Sequence, residues 1–252
     1  MSYLQKFLAE CFGSFVLTFC ACGAQGIVRD SPLETAVVHG LVYVTMCYSV
    51  GKVSGAHLNP CVSLAFVILG NMGCFDFFIY LIAQFAGALI GAMSIFGFFY
   101  MSYESESAMI SQRMGDAANR IIMYEELGYK AGNTFGGLLG EIVLTFIFIY
   151  IFLNAGEPGA PHKLIDGIIV GAGLSLVTFV GVGLTNACFN PARGLAVAIS
   201  EIAYFDTHES IELIWIWLLG PAIGAVAAPF FYRFLHGREV VSVIAPVKVG
   251  GV

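Results

Sequence analysis

Two Asn-Pro pairs, Asn59-Pro60 and Asn190-Pro191, each stand at the start of a short apolar run. Asparagine is a favoured N-cap, and proline suits the first helical position because the amide that it lacks would have no partner there. Each pair therefore predicts the start of a helix. Such a start carries about half a positive charge, and the Asn amide beside it can donate a hydrogen bond. One pair alone favours a plain helix cap, but two pairs at matched positions indicate a site that holds a neutral acceptor and repels cations, including hydronium.

The composition of the chain predicts a membrane protein. Of its 252 residues, 58% are hydrophobic and 11% are charged, whereas a soluble domain carries about 25% charged residues. The formal charge of −6 includes no dense basic block, which argues against nucleic-acid binding, and the seven cysteines lie in or beside apolar runs as small hydrophobic residues. No nucleophile-base pair and no metal-ligand spacing appears outside the candidate pore, so we predict neither an enzyme nor a bound metal or cofactor. The protein is expected to be integral and multi-pass, and both a plasma membrane and an internal vacuolar membrane are compatible with it.

Six apolar stretches are long enough to cross the roughly 30 Å hydrocarbon layer of a bilayer. They run approximately over residues 7–28, 34–51, 76–101, 135–155, 165–183 and 211–234. Two shorter apolar runs, 60–70 and 191–202, follow the second and fifth stretches. As helices of about 1.5 Å per residue they reach only about halfway across the bilayer. The sequence therefore predicts an all-α membrane protein with six transmembrane helices and two re-entrant half-helices.

The two halves of the chain repeat each other. Glu10 precedes Asn59 by 49 residues and Glu141 precedes Asn190 by 49 residues, so that one offset of 131 relates both pairs. Because each half has three spans, the second half enters the membrane inverted, which places a site near the midplane at the interface of the repeats. We predict a single domain, 1–252, divided into repeat one 1–101, a connecting loop 102–132, repeat two 133–236 and a C-terminal tail 237–252.

Glu10, Glu141 and Arg193 are charged residues in otherwise apolar surroundings. A charge at membrane depth costs about 2.5–3.5 kcal/mol even on lenient scales, so such residues are functional by default. Arg193 is expected to line water, with an arginine that reaches the lipid headgroups as the alternative. Glu10 and Glu141 are expected to accept hydrogen bonds from the non-helical backbone before each half-helix, because unsatisfied amides are not tolerated at that depth. A proton relay is the alternative for the two glutamates.

The segment from Ser54 to Cys61, SGAHLNPC, and the segment from Asn190 to Arg193, NPAR, resemble the two signature loops of the aquaporin (major intrinsic protein) family. The resemblance covers nearly the whole chain, because further family landmarks match in register: Glu10, Gln84, Glu141 and Gly220-Pro221. It implies the aquaporin fold, a homotetramer with one pore in each protomer, and passage of water and small neutral solutes. Ala192 fits the pattern, whereas Cys61 stands where the family usually has Ala. His57 is either a structural or a vestibule-lining residue.

The resemblance also implies a constriction formed by four side chains, His39, Thr178, Ala187 and Arg193. One inserted residue in the fifth span would replace Thr178 with a neighbour, and a packing role is the alternative for His39. A His at the first position and a small residue before the second Asn resemble the plant tonoplast intrinsic proteins and the ammonia-permeable animal aquaporins. Such an aperture is expected to be wider and more hydrophilic than a strict water filter, so that ammonia, urea, hydrogen peroxide and glycerol become candidate solutes.

Three other functions fit parts of the pattern. A glycerol-selective facilitator would share the fold, although Gly194 follows Arg193 where such channels usually carry Asp. A junctional tetramer with little conduction is a second alternative, which the intact Asn59, Asn190 and Arg193 disfavour. A secondary transporter also uses inverted repeats and broken helices. It would need a carboxylate facing the lumen, and the deep carboxylates are the symmetric Glu10 and Glu141.

Overall fold

The computed structural model describes residues 1–28, 31–102, 134–156, 165–205 and 209–237. All of the regular structure in these residues is helical. The helices are α1 Tyr3–Val28, α2 Pro32–Ser54, α3 Pro60–Leu69, α4 Cys74–Ser102, α5 Thr134–Ala155, α6 Asp166–Thr185, α7 Pro191–Phe205, α8 Glu209–Glu212 and α9 Ile214–His236.

The prediction of six membrane-crossing helices is confirmed. Within the described part of the chain, α1, α2, α4, α5, α6 and α9 are long and apolar enough to span a bilayer. Four of these helices start one to four residues earlier than the predicted stretches, as does α1, which begins at Tyr3 in the polar start of the chain. The other two, α6 and α9, start one and three residues later. The predicted connecting loop lies outside the described residues apart from Ser102, which ends α4, and so does the predicted tail apart from Gly237.

The two short apolar runs form α3 and α7, which begin at Pro60 and Pro191 as expected. Helix α3 has 10 residues, or about 15 Å of length, too short to cross the hydrocarbon layer. It stops at Gly70, whose φ of 80° is left-handed and which is therefore suited to glycine. Helix α7 has 15 residues and continues to Phe205, three residues beyond the predicted end.

The helices pack as two related groups. In the first group α1 packs against α4 and α2, and in the second α5 packs against α9 and α6. Contacts between α2 and α6 join the groups. Each half-helix packs on the last long helix of the other repeat, because α3 contacts α9 and α7 contacts α4. The repeats are therefore interlocked, and the half-helix starts meet between them.

Glycine permits the closest helix contacts within each repeat. A Cβ added at Gly87 of α4 would lie 2.0 Å from the Cys11 carbonyl oxygen of α1, and one added at Gly224 of α9 would lie 2.4 Å from the Ile142 carbonyl oxygen of α5. Both distances are shorter than any real carbon–oxygen contact. Cys11 and Ile142 are 131 residues apart, so the same close contact occurs in both repeats. Small residues that let backbones approach are the usual means of holding helices together in lipid.

Arg233 of α9 closes the free end of α3. Its Nη2 atom donates a hydrogen bond of 2.7 Å to the Ile68 carbonyl oxygen. The last carbonyls of a helix have no hydrogen-bond partner within the helix and carry partial negative charge. A guanidinium supplies both a hydrogen-bond donor and a positive charge. Helix α3 is thus fixed at both ends, by Asn59 at its start and by Arg233 at its finish.

Candidate solute channel

Matching loops, 55–59 and 186–190, precede the two half-helices. Gly55, Ala56 and Leu58 have left-handed φ angles of 87°, 49° and 52°. The residues 131 positions later, Asn186, Ala187 and Phe189, have φ angles of 62°, 52° and 51°. Non-glycine residues adopt this conformation at a cost of about 1–2 kcal/mol each. The repeat is thus present in the backbone itself, and the surrounding contacts must hold both loops in place.

Glu10 holds the first loop. Its Oε1 atom accepts hydrogen bonds from the Ser54 hydroxyl at 2.6 Å and the His57 amide at 2.9 Å, and its Oε2 atom accepts from the Leu58 amide and the Gln84 side-chain amide, each at 2.7 Å. The side chain is fully buried. A carboxylate can accept all four bonds, and bonds to an ionised acceptor are the stronger kind.

Glu141 holds the second loop in the same way. Its Oε1 atom accepts from the Thr185 hydroxyl at 2.5 Å and the Cys188 amide at 3.2 Å, and its Oε2 atom accepts from the Phe189 amide at 2.8 Å. These three donors lie 131 residues after the donors Ser54, His57 and Leu58. The structure therefore places both glutamates behind the loops as acceptors for backbone amides, the first of the two roles expected for them.

Asn59 and Asn190 bind each other's loops. Asn59 donates from Nδ2 to the Phe189 carbonyl and Asn190 donates from Nδ2 to the Leu58 carbonyl, both at 2.8 Å. Their Oδ1 atoms accept from the helix-start amides, that of Cys61 at 2.9 Å and that of Ala192 at 3.0 Å. An amide NH2 group has two hydrogens, so each Asn has one more to donate.

A cavity lies against this pair. It is lined by residues of both repeats: Leu17, His39, Tyr43, Asn59, Phe148, Leu174, Ala187, Cys188, Phe189, Asn190 and Arg193. Three symmetric pairs, each 131 residues apart, form part of its wall: Leu17 and Phe148, Tyr43 and Leu174, Asn59 and Asn190. The centre of a water molecule can occupy about 20 Å³ of it, which is room for about one water. Neither Glu10 nor Glu141 lines the cavity, so the lumen carboxylate that a transporter would need is missing from the described wall.

His39 and Arg193 bring polar atoms to the cavity. The Nδ1 atom of His39 lies 2.8 Å from the Thr35 carbonyl oxygen, which can only accept, so Nδ1 carries the hydrogen and Nε2 is left as an acceptor. Arg193 donates from Nη1 to the Ala187 carbonyl at 2.8 Å and from Nη2 to the Gln25 oxygen at 2.6 Å. Within the described residues, the buried His39 Nε2 and Arg193 Nε atoms have no hydrogen-bond partner.

The remaining predicted site residues lie at different places. Ala187 lines the cavity, but Leu174, one helical turn earlier in α6, lines it instead of Thr178. Thr178 is fully buried, and its hydroxyl is without a partner in the described structure. Its place in the constriction therefore stays a prediction. The thiol-bearing Cys61 is buried in the apolar core beside Asn59.

His57 packs behind the first loop. Its Nδ1 atom lies 3.0 Å from the Ser63 hydroxyl, and its ring centroid lies 4.6 Å from that of Phe66 and 5.2 Å from that of Tyr80. The side chain is outside the wall of the cavity described above. These contacts favour the structural role among the two expected for His57.

Sequence reasoning missed two residues, Gln25 and Tyr43. Gln25 accepts from Arg193 and also donates to the backbone and side-chain oxygens of Asn186 at 2.9 and 3.0 Å. It stands in an apolar stretch near the end of the first span, and a buried amide there is a signal that could have identified it. Tyr43 is four residues after His39, so helical periodicity could have placed both on one face.

The chain is similar to known proteins over nearly its whole length. The model of the family described as MIP, major intrinsic protein, matches residues 1–232. An aquaporin Z of Brucella melitensis biotype 1 is 33% identical over 244 residues, which are 94% of this chain and 100% of that protein. An aquaporin Z of Photorhabdus laumondii is 29% identical over 242 residues, which are 94% of this chain and 99% of that protein.

The fold has a counterpart among solved structures. The X-ray structure of the aquaglyceroporin from Plasmodium falciparum superimposes with a TM-score of 0.76 and covers 96% of this chain and 100% of its own. At 23% identity this likeness supports the fold alone. The family match, the related sequences and the six spans together confirm the family expected from the signature loops: the chain belongs to the major intrinsic protein (aquaporin) family and is a multi-pass membrane channel for water and small solutes, not an enzyme.

Proposed function

We propose that this protein conducts water passively, excludes protons and ions, and also passes small neutral solutes. The observation that carries the proposal is a pair of buried, unpartnered polar atoms, His39 Nε2 and Arg193 Nε, on two residues that line one cavity. A buried polar atom without a partner costs about 1–3 kcal/mol. A molecule that passes through the channel offsets this cost when it donates a hydrogen bond to His39 and accepts one from Arg193. Water, ammonia and urea can each do both.

The small side chains of the predicted constriction support the passage of solutes other than water. Ala187 contributes only a methyl group beside Arg193, and an imidazole at His39 is smaller than the aromatic residues of narrower or polyol-selective filters. Ammonia, urea and hydrogen peroxide are therefore the proposed secondary solutes, with glycerol as a further candidate.

Exclusion of protons and ions is assigned to the two Asn-Pro helix starts. The positive ends of α3 and α7 converge on the cavity, and each carries about half a charge. Asn59 and Asn190 each keep one amide hydrogen for a passing water, whose own hydrogens must then point away from the pair. A water whose oxygen accepts a hydrogen bond from each Asn amide cannot pass a proton to the next water. Across the lumen, Leu17, Phe148 and Leu174 offer no hydrogen bond, so the water file is bound on one side only.

The experiment measures permeability of proteoliposomes by stopped-flow light scattering. An outward osmotic gradient gives the water permeability, and iso-osmotic gradients of urea and glycerol give the solute permeabilities. His39→Phe adds bulk at the constriction, and Leu41→Phe is its matched control, because Leu41 is on the same helix but 59% exposed on the outer surface.

We expect water permeability well above that of empty vesicles and a measurable urea flux. His39→Phe should lower the urea-to-water ratio by about ten-fold, equivalent to about 1.4 kcal/mol of added barrier, while Leu41→Phe leaves it unchanged. Water permeability no higher than that of empty vesicles would refute the channel and favour a junctional role. Exclusion of urea, ammonia and glycerol alike would refute the wide constriction, and glycerol flux without fast water flux would favour the glycerol-selective alternative.

We also propose a homotetramer in which each protomer has its own pore. The proposal rests on family membership and on the large apolar side chains that the long helices expose, such as Ile82, Leu176 and Phe230. Native mass spectrometry of the protein in detergent tests it. A mass of four chains is expected, and a monomer or dimer that conducts water would contradict the proposal.

A further inference from the structure

Tyr43 occupies a part of the channel wall that the constriction residues do not reach. It follows His39 by one helical turn on α2, so both side chains project from the same face of that helix. Both line the cavity that also contacts Asn59 and Asn190, and Tyr43 is 1% exposed. The tyrosine therefore lies on the wall of the cavity that the constriction residues share with the Asn-Pro pair.

The ring of Tyr43 is held in place on two sides. Its centroid lies 5.7 Å from that of Phe148 and 6.3 Å from that of Phe152, with the rings at 75° and 82°. These are the edge-to-face contacts that aromatic pairs prefer. The hydroxyl of Tyr43 donates a hydrogen bond to the His57 carbonyl of the first loop. A ring fixed by two aromatic neighbours and one hydrogen bond cannot turn away as a solute passes.

The second repeat has a leucine at the position that corresponds to Tyr43. The residue 131 positions after Tyr43 is Leu174, which lines the opposite part of the same cavity. Leucine is smaller and has no hydroxyl, so it cannot bind the carbonyl of Cys188 as Tyr43 binds that of His57. The two halves of the wall therefore differ at this symmetric position, where the larger side chain is in the first repeat, whereas at the pair Leu17 and Phe148 the larger side chain is in the second repeat.

The small volume of the cavity fits this difference. Although Ala187 adds little bulk, the cavity that Tyr43 and Phe148 line together with the constriction residues has room for only about one water. The rings of Tyr43 and Phe148 are thus part of the wall that keeps the cavity small. The tyrosine hydroxyl also occupies a carbonyl that could otherwise accept a hydrogen bond from a passing molecule.

We infer that Tyr43 is a second specificity-determining residue of the channel, whose ring sets a size limit for solutes at the Asn-Pro pair. The inference rests on the proposed conduction of water and small solutes. It divides selection between two places: His39, Ala187 and Arg193 select by polarity, and Tyr43 selects by width. A solute of urea size that passes the constriction meets the tighter limit one turn later.

The test compares Tyr43→Leu, which copies the residue of the second repeat, with Tyr43→Phe, which keeps the ring and removes the hydroxyl. Urea-to-water and glycerol-to-water permeability ratios are measured in proteoliposomes, because a ratio is independent of the amount of protein inserted. Tyr43→Leu is expected to raise both ratios about five-fold or more. Tyr43→Phe is expected to stay within about two-fold of the wild type.

The control for a general loosening of the loop is Tyr80→Leu. Tyr80 is also buried, and its hydroxyl also donates to a backbone carbonyl, that of Ser54 directly before the first loop, at 2.7 Å. It lies outside the cavity wall. Its variant should leave both ratios unchanged. If Tyr80→Leu raises the ratios as much as Tyr43→Leu, or if Tyr43→Phe does so, ring width at Tyr43 is not the limit and the inference is overturned.

A reciprocal variant covers the case in which Tyr43→Leu does not fold. Leu174→Phe adds a ring at the symmetric position and is expected to lower both ratios by about five-fold. Unchanged ratios in a folded Leu174→Phe protein would also overturn the inference. Failure of the proposed function is recognised separately, because the wild-type protein itself would then show no water flux above empty vesicles.

Discussion

Replacing Glu10 with glutamine tests whether the buried carboxylate holds the first loop in place. The two carboxylate oxygens accept from four donors, those of Ser54, His57, Leu58 and Gln84. Glutamine offers one oxygen and one NH2 group in the same space. In one orientation the NH2 group faces the Leu58 amide and in the other it faces the His57 amide, so one backbone amide loses its acceptor in either case.

The magnitude follows from the bonds that are lost. A buried amide without an acceptor costs about 1–3 kcal/mol, and a neutral oxygen binds its remaining donors about 1 kcal/mol less well than a carboxylate does. The variant should therefore lose about 2–5 kcal/mol of stability, a large part of the roughly 5–15 kcal/mol that holds a folded protein. The matched control is Glu34→Gln, which neutralises an exposed carboxylate in the first turn of α2 and should cost about 0.3–1 kcal/mol.

The assay heats the detergent-solubilised proteins and follows the fraction that stays monodisperse in size-exclusion chromatography. Glu10→Gln should lose its folded peak at a clearly lower temperature than the wild type and the Glu34→Gln control. Equal thermal stability of the two variants would refute the assigned role. A changed proton flux at unchanged stability would contradict it in a different way, since it would point to the proton relay that the sequence also allowed.

Two further variants test contacts on either side of the channel. Gln25→Leu removes the acceptor of the Arg193 Nη2 atom. The variant should raise the urea-to-water permeability ratio, because the guanidinium then makes fewer hydrogen bonds. An unchanged ratio in the stopped-flow assay would contradict this prediction. Gly87→Ala forces a methyl group onto the Cys11 carbonyl oxygen and should destabilise the protein by about 1–3 kcal/mol. Gly183→Ala, which meets open space, should not, and equal thermal stability of the two alanine variants would show that the α1–α4 contact tolerates the added carbon.

The sequence predicted the parts of the fold that depend on local signals. Long apolar runs gave the six spans, and the Asn-Pro pairs gave the starts of α3 and α7, because hydropathy and helix capping act over a few residues. Helix ends were less well predicted, as in α7, which continues through Ala203 and Tyr204 to Phe205 although the predicted run ends at residue 202. The offset of 131 between Glu10 and Glu141 correctly indicated that the loops they contact are built alike.

Contacts between distant residues could not be obtained in this way. Gln25 and Arg193 are 168 residues apart, and no local sequence pattern near either residue predicts that their side chains are in contact. The contacts of the Tyr43 ring could not be predicted either. In the sequence Tyr43 is one residue of an apolar span, and only the fold packs Phe148 and Phe152 of α5 against its ring. Residue types and spacing identified Arg193 as a candidate channel residue, but the groups that fix its position come from tertiary packing.

The crossed bonds of Asn59 and Asn190 also bear on how the chain is made. Asn59 binds a carbonyl 130 residues ahead of it, and Asn190 binds a carbonyl 132 residues behind it. At a synthesis rate of about 5–20 residues per second, the first loop therefore waits roughly ten seconds for its partner to leave the ribosome. During that interval the first half carries polar groups at membrane depth that only the second half can pair. A chain that stops after α4 would keep these polar groups exposed, which would make the truncated protein a target for membrane quality control. A half-length channel would have to pair with a second half to complete its pore.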